Sequence, residues 1–219
     1  MAYPVPLIRK LFEKDPSLPS LPDHTRRLLE ILRKEDTPLT DIAREVENDP
    51  VLALRLIRLA NSAAYSLGKE VNSLERALAV VGVTQISSIA ASFASVDSCE
   101  RFLGASKFHW KDFWAHCSGT AFIAKALAER LEVALNGTEF LAGLLHDIGY
   151  LALAKVDPAL FGDAVREASE KNGFLASGLK ARFGLTVEAA GDLLAEVSRV
   201  APETREVIRH LHDPLQAPA

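Results

Sequence analysis

The sequence predicts an all-α protein of two packed helical lobes, on three observations. Apolar residues recur at spacings of three and four through nearly every segment. No run alternates with period two for long enough to demand a sheet, and helix-start signals punctuate the chain. Leu28, Leu29, Ile31 and Leu32 mark a first helix, after a proline-rich loop from Pro16 to Pro22. Thr40 is read as the cap of a short helix. Asp49-Pro50 joins an N-cap acid to a proline at the first helical position and opens a helix from Val51 to Ala60. That helix is apolar except for Arg55 and Arg58, so most of its circumference is expected to be buried. Ser73 caps a helix over Leu74–Val81, Gly82 stops it, and Thr84 begins another that reaches about Ser98. The polar run Asp97–Lys107 marks the boundary between the lobes. Beyond it, Trp110 to Leu131 is the longest helix, with a seam of Trp110, Phe113, Cys117, Ala121, Ala124, Ala128 and Leu131. Helices follow at about 138–147, 157–171, 175–183, 187–198 and 202–212, with Asp157-Pro158 and Ala201-Pro202 starting two of them.

Composition narrows the function classes. With 219 residues, 48% hydrophobic and 25% charged, the chain can bury a sizeable core and is too apolar for a disordered regulator. Two cysteines, Cys99 and Cys117, cannot staple a chain of this length and read as buried thiols of a reducing compartment. No charge-free apolar stretch approaches the length of about 20 residues that crosses a bilayer, and the first residues lack a secretory pattern. A net charge of −4 argues against bulk nucleic-acid binding. These features predict a cytoplasmic globular protein with no membrane association.

The candidate chemistry gathers at His116, His146 and Asp147. The pair ends the apolar run Phe140–Leu145, with Gly149 just beyond. Adjacent helical residues point about 100° apart, so both reach one ion only where a helix end faces a pocket. Imidazole and carboxylate together suit Zn, Mn or Fe and could lower the pKa of a bound water. His116 shares a stripe with Thr120, Ile123 and Leu127, which predicts that it points inward. The competing reading is structural: histidines satisfied by backbone carbonyls and Asp147 capping the next helix. His210 reads as a histidine at a helix C-terminus, while His212 stays a candidate for the site. Cys117 falls on the apolar seam and reads as inert packing. The run Pro38–Val46 followed by the helix with Arg55 and Arg58 has the outline of a helix-turn-helix. An apolar second helix argues for packing inside the lobe rather than reading DNA.

Taken together, the segments resemble the HDOD family, the output-domain relatives of the HD metal-dependent phosphohydrolases. The residues that carry the resemblance are Leu18-Pro19, Leu21-Pro22, Asn48-Asp49-Pro50-Val51-Leu52, Leu59-Ala60-Asn61-Ser62-Ala63 with Tyr65, and Ala77-Leu78 before Val81-Gly82. In the second lobe they are Phe113-Trp114-Ala115-His116-Cys117 and Ala142-Gly143-Leu144-Leu145-His146-Asp147-Ile148-Gly149. The likeness covers residues 16–214, with lobes at about 16–100 and 106–214, an N-terminal extension at 1–15 and a tail at 215–219. It implies that the C-terminal lobe is similar to the HD helical core and that His116, His146 and Asp147 fall on its first three metal-ligand positions, with His212 as a further candidate. The departures are as informative. Val187 stands where relatives often carry a histidine, the late His-His pair reads Leu211-His212, and Tyr150 replaces the lysine of His-Asp-x-Gly-Lys. The resemblance therefore implies a signal-transduction module acting through a protein partner, with a degenerate site holding at most one divalent metal (Mn, Fe, Zn or Mg). The alternatives are a metal-dependent phosphohydrolase acting on a nucleotide or cyclic dinucleotide, and a DNA-binding regulator.

Overall fold

The structure is a computed structural model that describes residues 3–15, 22–32, 37–65, 70–83, 86, 107–213 and 215, without the side chains of 22–25 and 29. Among these residues every regular element is a helix. Apart from Ile86, the expected helix from Thr84 to Ser98 lies outside the described residues, as do Cys99 and all of the boundary run except Lys107.

The N-terminal group contains α2 (Pro22–Leu32), α3 (Leu39–Glu47), α4 (Pro50–Ala60) and α5 (Leu74–Val81). Asp49 caps α4 as its sequence predicts, accepting from the backbone N–H groups of Val51 at 2.8 Å and Leu52 at 3.2 Å. Those bonds satisfy two of the orphan donors of the first turn while the carboxylate itself is buried. Only Arg55, Arg58 and Leu59 of α4 escape full burial. The helix packs on α3 and α5 and bridges to the C-terminal group. Ser73 caps α5, with its hydroxyl accepting from Arg76 N–H at 3.4 Å. Thr40 differs from expectation: α3 begins at Leu39 after Pro38, with no side-chain cap. Proline fixes the entry, and Thr40 falls inside the first turn.

The C-terminal group is α6 (Trp110–Arg130), α7 (Thr138–Leu145), α8 (Ile148–Val156), α9 (Pro158–Lys171), α10 (Leu175–Phe183), α11 (Val187–Val197) and α12 (Pro202–His210). Helix α7 packs along α6, α8 on α11, and α12 on both α11 and α7. The α6 seam is buried at Trp110, Phe113, Cys117, Ala121 and Ala128, whereas Leu131 at the helix end is exposed. Two helices lie beyond the expected set. One is α8, which begins at Ile148, directly after the helix expected at about 138–147. The other is α1 (Val5–Lys14), which buries Ile8 and Phe12 at a spacing of four and packs on α11. Its position is fixed by Arg9, paired through both guanidinium nitrogens with Glu196 at 2.9 Å, and by Tyr3, whose hydroxyl donates to Asp157 at 2.6 Å.

Candidate metal centre

Helix packing builds the site from two directions. A Cβ on Gly143 would lie 2.7 Å from the Cα of Ala121, so only glycine lets α7 approach α6 this closely. That approach carries His146, one turn further on, to His116. The two Nε2 atoms are 3.0 Å apart. Asp147 Oδ2 lies 3.5 Å from Nε2 of His116 and 3.3 Å from Nε2 of His146. All three donor atoms fall within 4.8 Å of one another.

His116 does not point inward as its stripe predicts. Its side chain is 56% exposed, and Ile123 and Leu127 further along the stripe are exposed as well. The inward face of α6 is set by Cys117 and Ala121, which meet α7. A residue adjacent to Cys117 is turned about 100° away from that face. His116 consequently stands at the mouth of a cavity of about 600 Å³ that it lines with Asp147, Tyr150, Phe113, Phe108 and Lys107.

The structural alternative fails at Asp147 and holds in part at His146. Asp147 occupies the N-cap position of α8 yet makes no side-chain cap bond; its carboxylate turns to the two imidazoles instead. His146 is 93% buried and its Nδ1 lies 2.7 Å from the Gly143 carbonyl. A carbonyl can only accept, so Nδ1 carries a hydrogen, and once Nε2 is deprotonated its lone pair faces the cluster. Metal-ligating histidines commonly make a bond of this kind through the other ring nitrogen. Burial pulls the His146 pKa down, but the Asp147 hydrogen bond, the Asp147 charge and the Gly143 carbonyl together leave it raised. Two imidazoles and a carboxylate converging in this way fit one divalent ion of the borderline class, Zn, Mn or Fe.

His212 is placed elsewhere. Its Nδ1 meets Glu188 Oε1 at 2.6 Å in the turn after α12. Asp192 is held by Arg205 at 2.7 Å and by Arg209 at 3.0 Å. Among the described residues, no fourth His, Cys, Asp or Glu joins the group of three. His210 pairs with Glu206 at 3.3 Å in the last turn of its helix. Cys117 is buried, and burial followed by the charges of Asp147 and Asp49 pushes its thiol far up, consistent with inert packing.

Tyr150 fills the position after Gly149 with an aromatic contact. Its ring stacks on Phe108 at 5.9 Å and meets Phe113 edge-on at 6.3 Å. Burial, then the charges of Asp147 and Glu188, push its hydroxyl up to about 12, so it is a neutral phenol at physiological pH.

The family model of the HDOD domain matches residues 18–214. This chain belongs to the HDOD family. As a family member it is similar in structure to an HDOD domain protein of unknown function from Geobacter sulfurreducens, with 26% identity and a TM-score of 0.51 over 98% of this chain and 71% of that one. It also resembles the MmoQ response regulator of Methylococcus capsulatus, at 23% identity and a TM-score of 0.74 over 90% of this chain and 75% of that one. A virulence factor of Campylobacter jejuni shares the fold, with 20% identity and a TM-score of 0.78 over 96% and 75% of the two chains. A curated relative, an uncharacterised protein of Treponema pallidum, is 23% identical over 167 residues. The match takes in 76% of this chain but only 32% of that protein, so the HDOD chain spans about a third of its relative's length. No described helix of this HDOD protein is long and apolar enough to cross a membrane.

Asn61, part of the segment that carries the family likeness, has a structural task that sequence reasoning missed. Its side-chain amide donates to the carbonyls of Val71 at 2.9 Å and Arg199 at 3.0 Å, and its oxygen accepts from Val71 N–H at 2.8 Å. An Asn just after a predicted helix signals a cap; nothing local signals a partner 138 positions away.

Proposed function

We propose that this protein is a signal-transduction module that acts by binding a protein partner, and that its HD-type site holds one divalent ion in a structural or sensing role. One observation carries this reading: three donors converge at His116, His146 and Asp147, while the other candidates are engaged elsewhere, Glu188 with His212 and Asp192 with arginines. A two-metal clamp on a phosphoryl group requires more ligands than three. Tyr150 supplies no cation where a lysine would steady a phosphate. The second half of α6 and its C-cap also turn Ile123, Leu127 and Leu131 outward at a spacing of four, an apolar stripe suited to partner contact. The helix with Arg55 and Arg58 packs inside the protein, which supports protein contact over DNA reading.

A metal-dependent phosphohydrolase acting on a nucleotide or cyclic dinucleotide is the second reading. It is favoured by the cavity of about 600 Å³ onto which His116 and Asp147 open. A divalent ion there would act as a Lewis acid on a phosphoryl oxygen and lower the pKa of a water. The deciding experiment assays Mn- and Zn-loaded protein against bis-p-nitrophenyl phosphate and cyclic dinucleotides, with Asp147→Ala alongside. Turnover indistinguishable from the variant supports the regulatory reading. Turnover at enzymatic rates that Asp147→Ala abolishes overturns it.

A further inference from the structure

A second cavity, also of about 600 Å³, lies between α4 and the turn that joins α11 to α12. It shares no lining residue with the cavity at His116. Leu54, Leu59 and Val197 supply apolar wall, and Arg55, Arg58 and Arg199 bring three guanidinium groups to it. Glu13 and Asp15 also line it, and Asp15 is engaged by Lys155 at 2.9 Å.

Arg199 follows the last turn of α11 in the left-handed region at φ 58°, the usual way for a helix to end, with Val200 N–H closing on the Ala195 carbonyl at 2.9 Å. Asn61 holds Arg199 against α4: its side chain donates to the Arg199 carbonyl at 3.0 Å and its own carbonyl accepts from the Arg199 guanidinium at 3.0 Å. Arg58 has no hydrogen bond among the described residues. Burial first, then the like charge of Arg199, hold its guanidinium below the ordinary value despite the attraction of Asp15. Ser62, on the same wall, buries a hydroxyl oxygen that has no partner among the described residues. Arg58 and Arg199 are like charges close together on a partly buried wall, and an anion bound between them would offset that repulsion.

We infer that this cavity binds a small phosphorylated ligand of the nucleoside phosphate class, with Arg58 and Arg199 gripping phosphoryl oxygens and Leu54, Leu59 and Val197 packing on the base. A guanidinium fork matches phosphate geometry, and charge-assisted bonds of this kind are the strong ones. The volume lies within the range that holds a drug-sized ligand.

The test is calorimetric titration in EDTA, which removes metal-dependent binding at the other cavity, with AMP, GMP and pyrophosphate as probes and adenosine as the control. A mononucleotide binds wild-type protein and adenosine does not. Arg58→Gln weakens that binding about tenfold or more, and the melting temperature of the free protein stays level or rises because a repulsion is gone. Arg58→Lys keeps the charge but loses the fork, and recovers part of the affinity. Asp147→Ala binds like wild type. Absence of binding by all three phosphate probes at millimolar concentration overturns the inference. So does binding insensitive to Arg58→Gln or lost in Asp147→Ala, and so does binding of an Asp/Glu-rich peptide with no binding of the phosphates.

Discussion

Asn61 joins three segments through a single side chain. It ends α4, pairs with both polar groups of Val71, and reaches the carbonyl of Arg199 in the turn before α12. Asn61→Ala strands a partly buried N–H and two carbonyls, and the cost of such orphans is about 1–3 kcal/mol. Urea unfolding followed by circular dichroism should show that loss as a lower midpoint with an unchanged slope. A midpoint within error of wild type would refute the staple. Asp157 plays a similar part for the N-terminal segment, accepting from Leu160 N–H at 2.9 Å and from the Tyr3 hydroxyl at 2.6 Å. The Leu160 bond, then the Tyr3 bond, hold its pKa below the ordinary carboxylate value. A depressed folded-state pKa contributes stability that is present above the unfolded-state value and lost as pH falls through the folded one. Tyr3→Phe should therefore cost about 1 kcal/mol at neutral pH. Its deficit should shrink toward zero as acid protonates Asp157. A deficit independent of pH would mean that the hydroxyl acts on something else.

Two helix crossings depend on glycine, and they show where sequence reading stops. The apolar seams, the start signals at Asp49-Pro50 and Asp157-Pro158, and the cap at Ser73 are local patterns, so they are legible along the chain. Gly149 is different. In the sequence it lies just beyond His146 and Asp147, where only a capping role for Asp147 points to a helix start. In the folded protein a Cβ there would lie 1.9 Å from the backbone oxygen of Val187, because α8 and α11 cross at Gly149 and Gly191. That requirement is tertiary and leaves no periodic trace. Gly149→Ala should cost about 3 kcal/mol or more, since the clash is with backbone and cannot be relieved by a rotamer change. Gly119, within α6, faces open space. Gly119→Ala should instead stabilise by about 0.5–1 kcal/mol, the ordinary penalty of glycine in a helix. Equal effects of the two substitutions in thermal melts would exclude a close crossing at Gly149.

At the scale of the whole molecule, the site was legible as a set of residue types but not as a geometry. His116 lies 30 positions from His146, and neither its exposure nor the orientation of Asp147 follows from spacing. Both depend on how closely α6 and α7 approach, which Gly143 permits. His212 shows the converse, since proximity to the chain's end carried no information about its partner Glu188. If the cluster formed by these crossings is a metal centre, ion binding is coupled to the stability of the entire fold, because the ligands come from separate helices. An ion bound only by the native state at a hundred times its dissociation constant adds about 2.7 kcal/mol. For a chain of this size that corresponds to a rise in melting temperature of about 5–10 °C. The rise should appear with Zn or Mn, vanish in Asp147→Ala, and reverse with EDTA. It should also diminish in acid, because protons compete for the imidazole nitrogens. His146 is raised above its ordinary value, so this competition should begin on the alkaline side of the ordinary histidine midpoint of about 6.5. A melting temperature indifferent to Zn, Mn, Mg and Fe(II) at neutral pH would show that the three side chains form a hydrogen-bonded cluster and no metal centre.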